Sequence, residues 1–275
     1  QAHPEDVKSG KLSGMLLYQT HELLVSMTGA VHPATAPDKW RAFWDSERDK
    51  LTVGQKRSAA SNTGTVASGF CGIPVQGTRV VFVLDLSGSM NWPVVDKGTA
   101  GREGKRGIEY AKEELERAMS SISPHAHFNL VTFNGDAKAV LWSKDMVVAS
   151  DKNRERFLKY VAGLEAEGGT NLWAGLEAAL EIKSLVYGAR YASNVDEVFV
   201  LSDGAPSVGE VVDPSEILRL VGESNRFAKV RINTVFLANQ PPRGQRMPPM
   251  PHMSITAEEL MQRVAEQSGG KFKSL

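Results

Sequence analysis

The sequence predicts an α/β fold built on a mostly parallel sheet, and three observations predict it. From Thr78 onward, strand-like and helix-like patterns alternate along the chain, as they do when strands are joined by helical crossovers. Two strand candidates, Val80-Val81-Phe82-Val83-Leu84 and Val198-Phe199-Val200-Leu201, are unbroken apolar runs, the pattern of parallel strands covered on both faces. The second and third candidates are separated only by Asn134-Gly135-Asp136, a hairpin signal that makes one of them an antiparallel edge strand.

Taken in order, the chain divides into a helical N-terminal segment over residues 1–51, a linker wrapping onto the main domain over 52–77, and the main domain over 78–275. In the first part, Leu12, Met15, Leu16, Tyr18, Leu23, Leu24 and Met27 fall close to helical spacing on one face, which predicts a helix over 12–27. A break from His32-Pro33 to Pro37 ends it. Asp38 is then expected to cap a second short helix, whose Trp40, Phe43 and Trp44 at i, i+3 and i+4 need a partner surface. Residues 52–69 are polar and small, which is linker composition. In the main domain, strands are expected at 79–86, 126–133, 137–141, 197–201 and 230–237, and helices at 107–121, 153–162, 172–187, 214–224 and 257–268. Gly269-Gly270 ends the last helix, and Lys271-Phe272-Lys273 begins a final strand.

Composition excludes some classes. With 32 basic and 32 acidic residues among 275, the formal net charge is zero, so the chain lacks the basic surface a general nucleic-acid binder needs to neutralise phosphates. No run approaches the ~18 consecutive apolar residues of a membrane helix, and Gln1 opens no signal-peptide pattern. The chain is expected to be soluble as given. Because it begins with Gln rather than Met, an upstream segment is expected to have been removed, and any targeting signal with it, which leaves the compartment open. Cys71 is the only cysteine, so an internal disulfide is ruled out; between Phe70 and Gly72 it reads as a small buried hydrophobe.

The first apolar run ends in Asp85-Leu86-Ser87-Gly88-Ser89-Met90: a carboxylate, then two hydroxyls spaced two apart, with Gly88 allowing a tight turn between them. Ligands gather beyond the carboxyl ends of strands in open parallel sheets, so this is where chemistry is expected. Gly168-Gly169-Thr170-Asn171 sets Thr170 beside a helix N-terminus, and Asp203 leaves the end of the second apolar run. If both strands lie in the parallel sheet, three loops converge with two carboxylates and three hydroxyls. Magnesium suits that set, being hard, oxygen-seeking and content with one or two protein carboxylates; manganese is acceptable on ligand type, and calcium fits less well. With only two negative charges around it the ion stays electron-poor, so an incoming carboxylate completes its shell.

Together, Asp85-Leu86-Ser87-Gly88-Ser89, Thr170 within Gly-Gly-Thr-Asn, and Asp203 within Leu-Ser-Asp-Gly resemble the metal-ion-dependent adhesion site of von Willebrand factor type A domains. The resemblance covers about residues 78–275. It implies a doubly wound, Rossmann-like sheet with helices on both faces and a divalent metal, usually magnesium, at its top. On that resemblance Ser87, Ser89 and Thr170 are hydroxyl ligands, while Asp85 and Asp203 bind directly or through water. The implied activity is non-enzymatic, metal-dependent protein binding in which a partner Glu or Asp supplies the last ligand. An alternative is metal-dependent phosphoryl transfer, since Asp at the end of a first parallel strand also begins such sites. Against it, Ser87 stands where a haloacid-dehalogenase-type phosphatase needs a second Asp. A third reading is an RNA-associated protein with an A domain, which the zero net charge opposes.

His125 and His127 flank Ala126 without a third nitrogen or thiolate at fitting spacing, so they read as ordinary strand-start residues. Lys97, Arg102, Lys105 and Arg106 are either a solvated loop or a charged rim that steers an acidic partner. Met247-Pro248-Pro249-Met250-Pro251-His252-Met253 spaces its methionines three apart, so that in a polyproline II helix they line one face as a docking strip or a soft-metal site; the alternative is a mobile loop. Trp173 is either core or a neighbour of the site.

Overall fold

Strand β1 (Arg79–Asp85) runs through the middle of a seven-stranded sheet in the computed structural model, which describes residues 20–21, 23–25, 27–30, 32, 36–50, 69–94, 104–180, 195–241 and 255–275. Its side chains alternate between two cores, as a strand's period of two dictates. Val80, Phe82 and Leu84 pack on one face with residues of α2 (Gly107–Ser121) and α3 (Asp151–Ala162). Val81 and Val83 pack on the other with α4 (Leu172–Leu180), α5 (Pro214–Ala228) and α6 (Ala257–Ser268). Neither face meets water, so the run carries no polar break. The sheet is therefore doubly wound.

Parallel neighbours β2 (His127–Phe133) and β5 (Glu197–Ser202) flank β1, and β6 (Arg231–Phe236) and β7 (Phe272–Ser274) extend the sheet in parallel. The strand order is β3-β2-β1-β5-β6-β7. Between the sheet's strands, among the described residues, antiparallel pairing is confined to β2, which takes β3 (Val140–Leu141) and also β4 (Val147–Val148). The expected single edge strand over 137–141 thus contracts to two residues and gains a short companion. The cause lies in the loop before it. Asn134 O accepts the Asn171 N–H at 2.8 Å and Asn171 Nδ2 donates to Asp136 O at 2.9 Å, so the Asn-Gly turn is drawn toward the 168–171 loop and away from hairpin pairing.

Helices α2 and α6 have the expected bounds. Helix α3 starts at Asp151, two residues early, and α5 continues to Ala228, where Lys229 at φ 54° takes the left-handed conformation that ends it. Residues 181–187 of the expected fourth helix lie outside the described residues. In the N-terminal part, residues 20–21, 23–25 and 27–28 are helical, and the remainder of the expected first helix lies outside the described residues. Helix α1 (Pro37–Glu47) begins one residue ahead of Asp38, with Pro37 in its first turn and no side-chain cap, so Asp38 is not the cap. Trp40 meets the rings of His21 and His32 edge-on at 5.6 and 5.3 Å, whereas Trp44 stays 52% exposed. No helix among the described residues is long and apolar enough to cross a membrane.

A buried polar clamp fixes the level at which the strands end. Glu197 accepts the N–H groups of Gln76 and Gly77 on Oε2 (2.8 and 2.5 Å) and the side chains of Arg231 and Asn233 on Oε1 (2.5 and 2.9 Å). Asp196 accepts from Thr78 N, Thr78 Oγ1 and Arg79 N at 2.8–3.0 Å. These bonds hold the start of β1 beside β5 with Val80 opposite Glu197, so Leu84 falls opposite Leu201. Asp85 and Ser202 follow on one edge, and Asp203 is one residue beyond.

Candidate metal centre

Asp85, fully buried, closes β1 and organises the turn after it. Its Oδ1 accepts the Ser87 N–H at 2.7 Å, an Asx-turn bond, while its Oδ2 accepts Ser202 Oγ at 2.5 Å. A short 3₁₀ turn over Gly88–Asn91 then returns Ser89 toward Ser87, leaving their hydroxyl oxygens 3.1 Å apart. Ser89 Oγ donates to Asp203 Oδ1 at 2.9 Å. Gly88 is needed here for proximity and not for a left-handed turn: its φ is not positive, its N–H reaches Gly168 O at 2.9 Å, and an added Cβ would stand 3.3 Å from that oxygen.

Thr170 arrives on the third loop. Its N–H is accepted by Ser207 Oγ at 3.0 Å and its carbonyl accepts the Ser207 N–H at 2.9 Å, which fastens the loop after β5 to the loop before α4. A Cβ added at Gly204 would lie 3.4 Å from Thr170 Oγ1 and 3.8 Å from Ser89 Oγ, so the missing side chain leaves both hydroxyls facing one space. All five residues singled out in the sequence meet at this edge: Asp85, Ser87, Ser89 and Asp203 through hydrogen bonds, Thr170 across Gly204.

Electrostatics make the arrangement expensive when the carboxylates are ionised. Burial pushes the Asp85 carboxyl up to about 6, against the hydrogen bonds from Ser202 and Ser87. Burial, then the negative charge of Asp85, pushes Asp203 up to about 7. Among the described residues no lysine or arginine pairs with either group. Two adjacent carboxylates without a countercharge, surrounded by hard hydroxyl oxygens, are a donor set that a divalent cation fits.

Sequence reasoning missed three supporting residues. Ser202 reads as the last residue of a strand, and Ser207 as a loop residue. Asn239, whose Nδ2 donates to Asp203 Oδ2 at 2.6 Å and to Ser89 O at 3.2 Å, lies three residues beyond β6, where only the sheet register reveals its neighbours. The other candidates that the structure describes are engaged elsewhere. Trp173 is 8% exposed and belongs to the core. Lys105 is engaged by Glu113 at 2.7 Å and Arg106 by Glu109 at 2.8 Å, while Lys97, Arg102 and the 247–253 strip lie outside the described residues. His127 opens β2 at the opposite end of the sheet.

Residues 80–240, more than half of the chain, match the family described as the von Willebrand factor type A domain, and the chain belongs to that family. Its members are typically protein-interaction modules. Among curated relatives, the chain is 30% identical over 154 residues to inter alpha-trypsin inhibitor, heavy chain 4, of Mus musculus, covering 55% of this chain and 15% of that protein. It is 32% identical over 150 residues to inter-alpha-trypsin inhibitor heavy chain H1 of Sus scrofa, covering 54% and 15%. The chain thus spans about 15% of the length of these relatives. A solved structure of a von Willebrand factor type A protein from Catenulispora acidiphila aligns over 72% of this chain and 38% of its own, with 17% identity and a TM-score of 0.49.

Proposed function

We propose that this chain is a non-enzymatic protein-binding module whose grip depends on a divalent cation, magnesium or in its place manganese. Asp85, Ser87, Ser89, Thr170 and Asp203 would hold the ion, and a Glu or Asp carboxylate of a partner protein would complete its coordination. The observation that carries this reading is the convergence of two buried carboxylates, with no lysine or arginine paired to them among the described residues, beside hydroxyls that face the same space. The cation would supply Lewis acidity toward an incoming carboxylate. The protein's own residues do the rest: Ser202 and Asn239 hold outer carboxylate oxygens, and the 3₁₀ turn keeps two hydroxyls side by side. Ser87, standing where a haloacid-dehalogenase-type phosphatase would need a second Asp, supports binding over that kind of catalysis.

Affinity capture on the immobilised protein in magnesium and in EDTA tests the reading. Partners should be held in magnesium, released by EDTA, and absent from an Asp203→Ala column. Capture that ignores both EDTA and that substitution would reject cation-dependent binding.

A further inference from the structure

Asn239 is held in an arrangement that the acceptors around its amide nitrogen explain. Its Nδ2 donates to Asp203 Oδ2 at 2.6 Å and to Ser89 O at 3.2 Å, while its Oδ1 is buried with no hydrogen-bond partner among the described residues. A buried, unpaired amide oxygen is costly, and turning the amide over would bring that oxygen against two other acceptors. The orientation therefore follows the needs of Asp203 and Ser89. The backbone around Asn239 is fixed as well: it forms an isolated bridge with Val94, and Gln240 N–H reaches Pro93 O at 3.2 Å. On the far side sits Gly107, the first residue of α2. A Cβ there would come 2.8 Å from Asn239 Nδ2 and 3.2 Å from Met90 O. The helix thus begins with glycine where the amide occupies the space a side chain would fill.

We infer that Asn239 is a positioning residue for the candidate cation site, backed by Gly107: its amide holds Oδ2 of Asp203 and the Ser89 carbonyl, turning Oδ1 of Asp203 toward the hydroxyl of Ser89. This inference rests on the cation reading above. Neither Asn239 nor Gly107 is among the five proposed ligands. Residues that orient metal ligands from behind typically change affinity about 10- to 100-fold when removed.

The test measures Mn²⁺ affinity and the electron paramagnetic resonance spectrum of Mn²⁺ bound to the full chain, with melting temperature in EDTA recorded beside them. Asn239→Leu keeps the shape and removes the donor. Gly107→Ala leaves every proposed ligand unchanged and sets a methyl group against the Asn239 amide and Met90. Asn239→Leu should melt in EDTA close to the parent and Gly107→Ala somewhat below it, and both should bind Mn²⁺ about 10- to 100-fold more weakly and give an altered bound-Mn²⁺ spectrum at saturation. If Asn239→Leu does not fold, Gly107→Ala carries the test. A parent that binds Mn²⁺ and variants that match it in affinity and spectrum would overturn the role of Asn239 and leave the cation site standing. A lowered melting temperature with unchanged affinity and spectrum would make Asn239 merely structural. A parent that binds no Mn²⁺ would remove the cation reading and this inference together.

Discussion

Asp85 and Asp203 each hold a proton more tightly in the folded protein than in the unfolded chain, and that sets how pH acts on stability. With folded values of about 6 and about 7 against an unfolded value near 4, their contribution is whole below about pH 4 and is lost as pH rises through both folded values. In EDTA the protein should therefore lose several kcal/mol of stability as pH rises from about 4 to about 7. With magnesium, which requires the ionised carboxylates, stabilisation by the ion should grow across the same interval. Urea unfolding at several pH values, in EDTA and in magnesium, checks both slopes; a pH-independent gap between the two curves would contradict the assignment. The five proposed ligands were readable in the sequence because each follows a buried run or a glycine pair at the edge where parallel strands end. Ser202 and Asn239 were not, because their use depends on which strands lie side by side, a property of the sheet and not of any local pattern.

Helices and strands long enough to show a period were legible as elements: β1, β2, β5, α2 and α6 lie within a residue of where the pattern sets them. The two-residue strands were not. Val147–Val148 carries no period, and the Asn134-Gly135 turn is governed by hydrogen bonds to the 168–171 loop. Packing likewise overrides propensity in α4. Gly175 lies inside that helix, where alanine would ordinarily gain about 1 kcal/mol, yet a Cβ there would meet Phe133 Cδ1 of β2 at 2.5 Å. Gly175→Ala should therefore destabilise the domain, the overpacking cost of about 1–3 kcal/mol exceeding the gain in helix propensity. A shift in the urea midpoint at constant m-value checks it, and an unchanged or higher midpoint would show that Phe133 yields freely.

Across the whole molecule, one end of the sheet sets the geometry of the other. The Glu197, Arg231, Gln76 and Asn233 cluster, with Asp196 on Thr78 and Arg79, fixes the register of β1 against β5, and that register brings Asp85 and Asp203 to a common edge. Two apolar cores then hold the edge rigid from both faces, so the loops carrying Ser87, Ser89 and Thr170 need only short hydrogen-bonded turns to reach it. In this scheme the fold presents a pair of carboxylates that no lysine or arginine neutralises among the described residues, and the proposed cation supplies the countercharge. The most direct measurement is calorimetric titration of the chelator-stripped chain with magnesium at neutral pH, beside Asp203→Ala. The account predicts a single magnesium site per chain that is abolished by the substitution; no binding by the parent chain, or equal binding by both proteins, would contradict it.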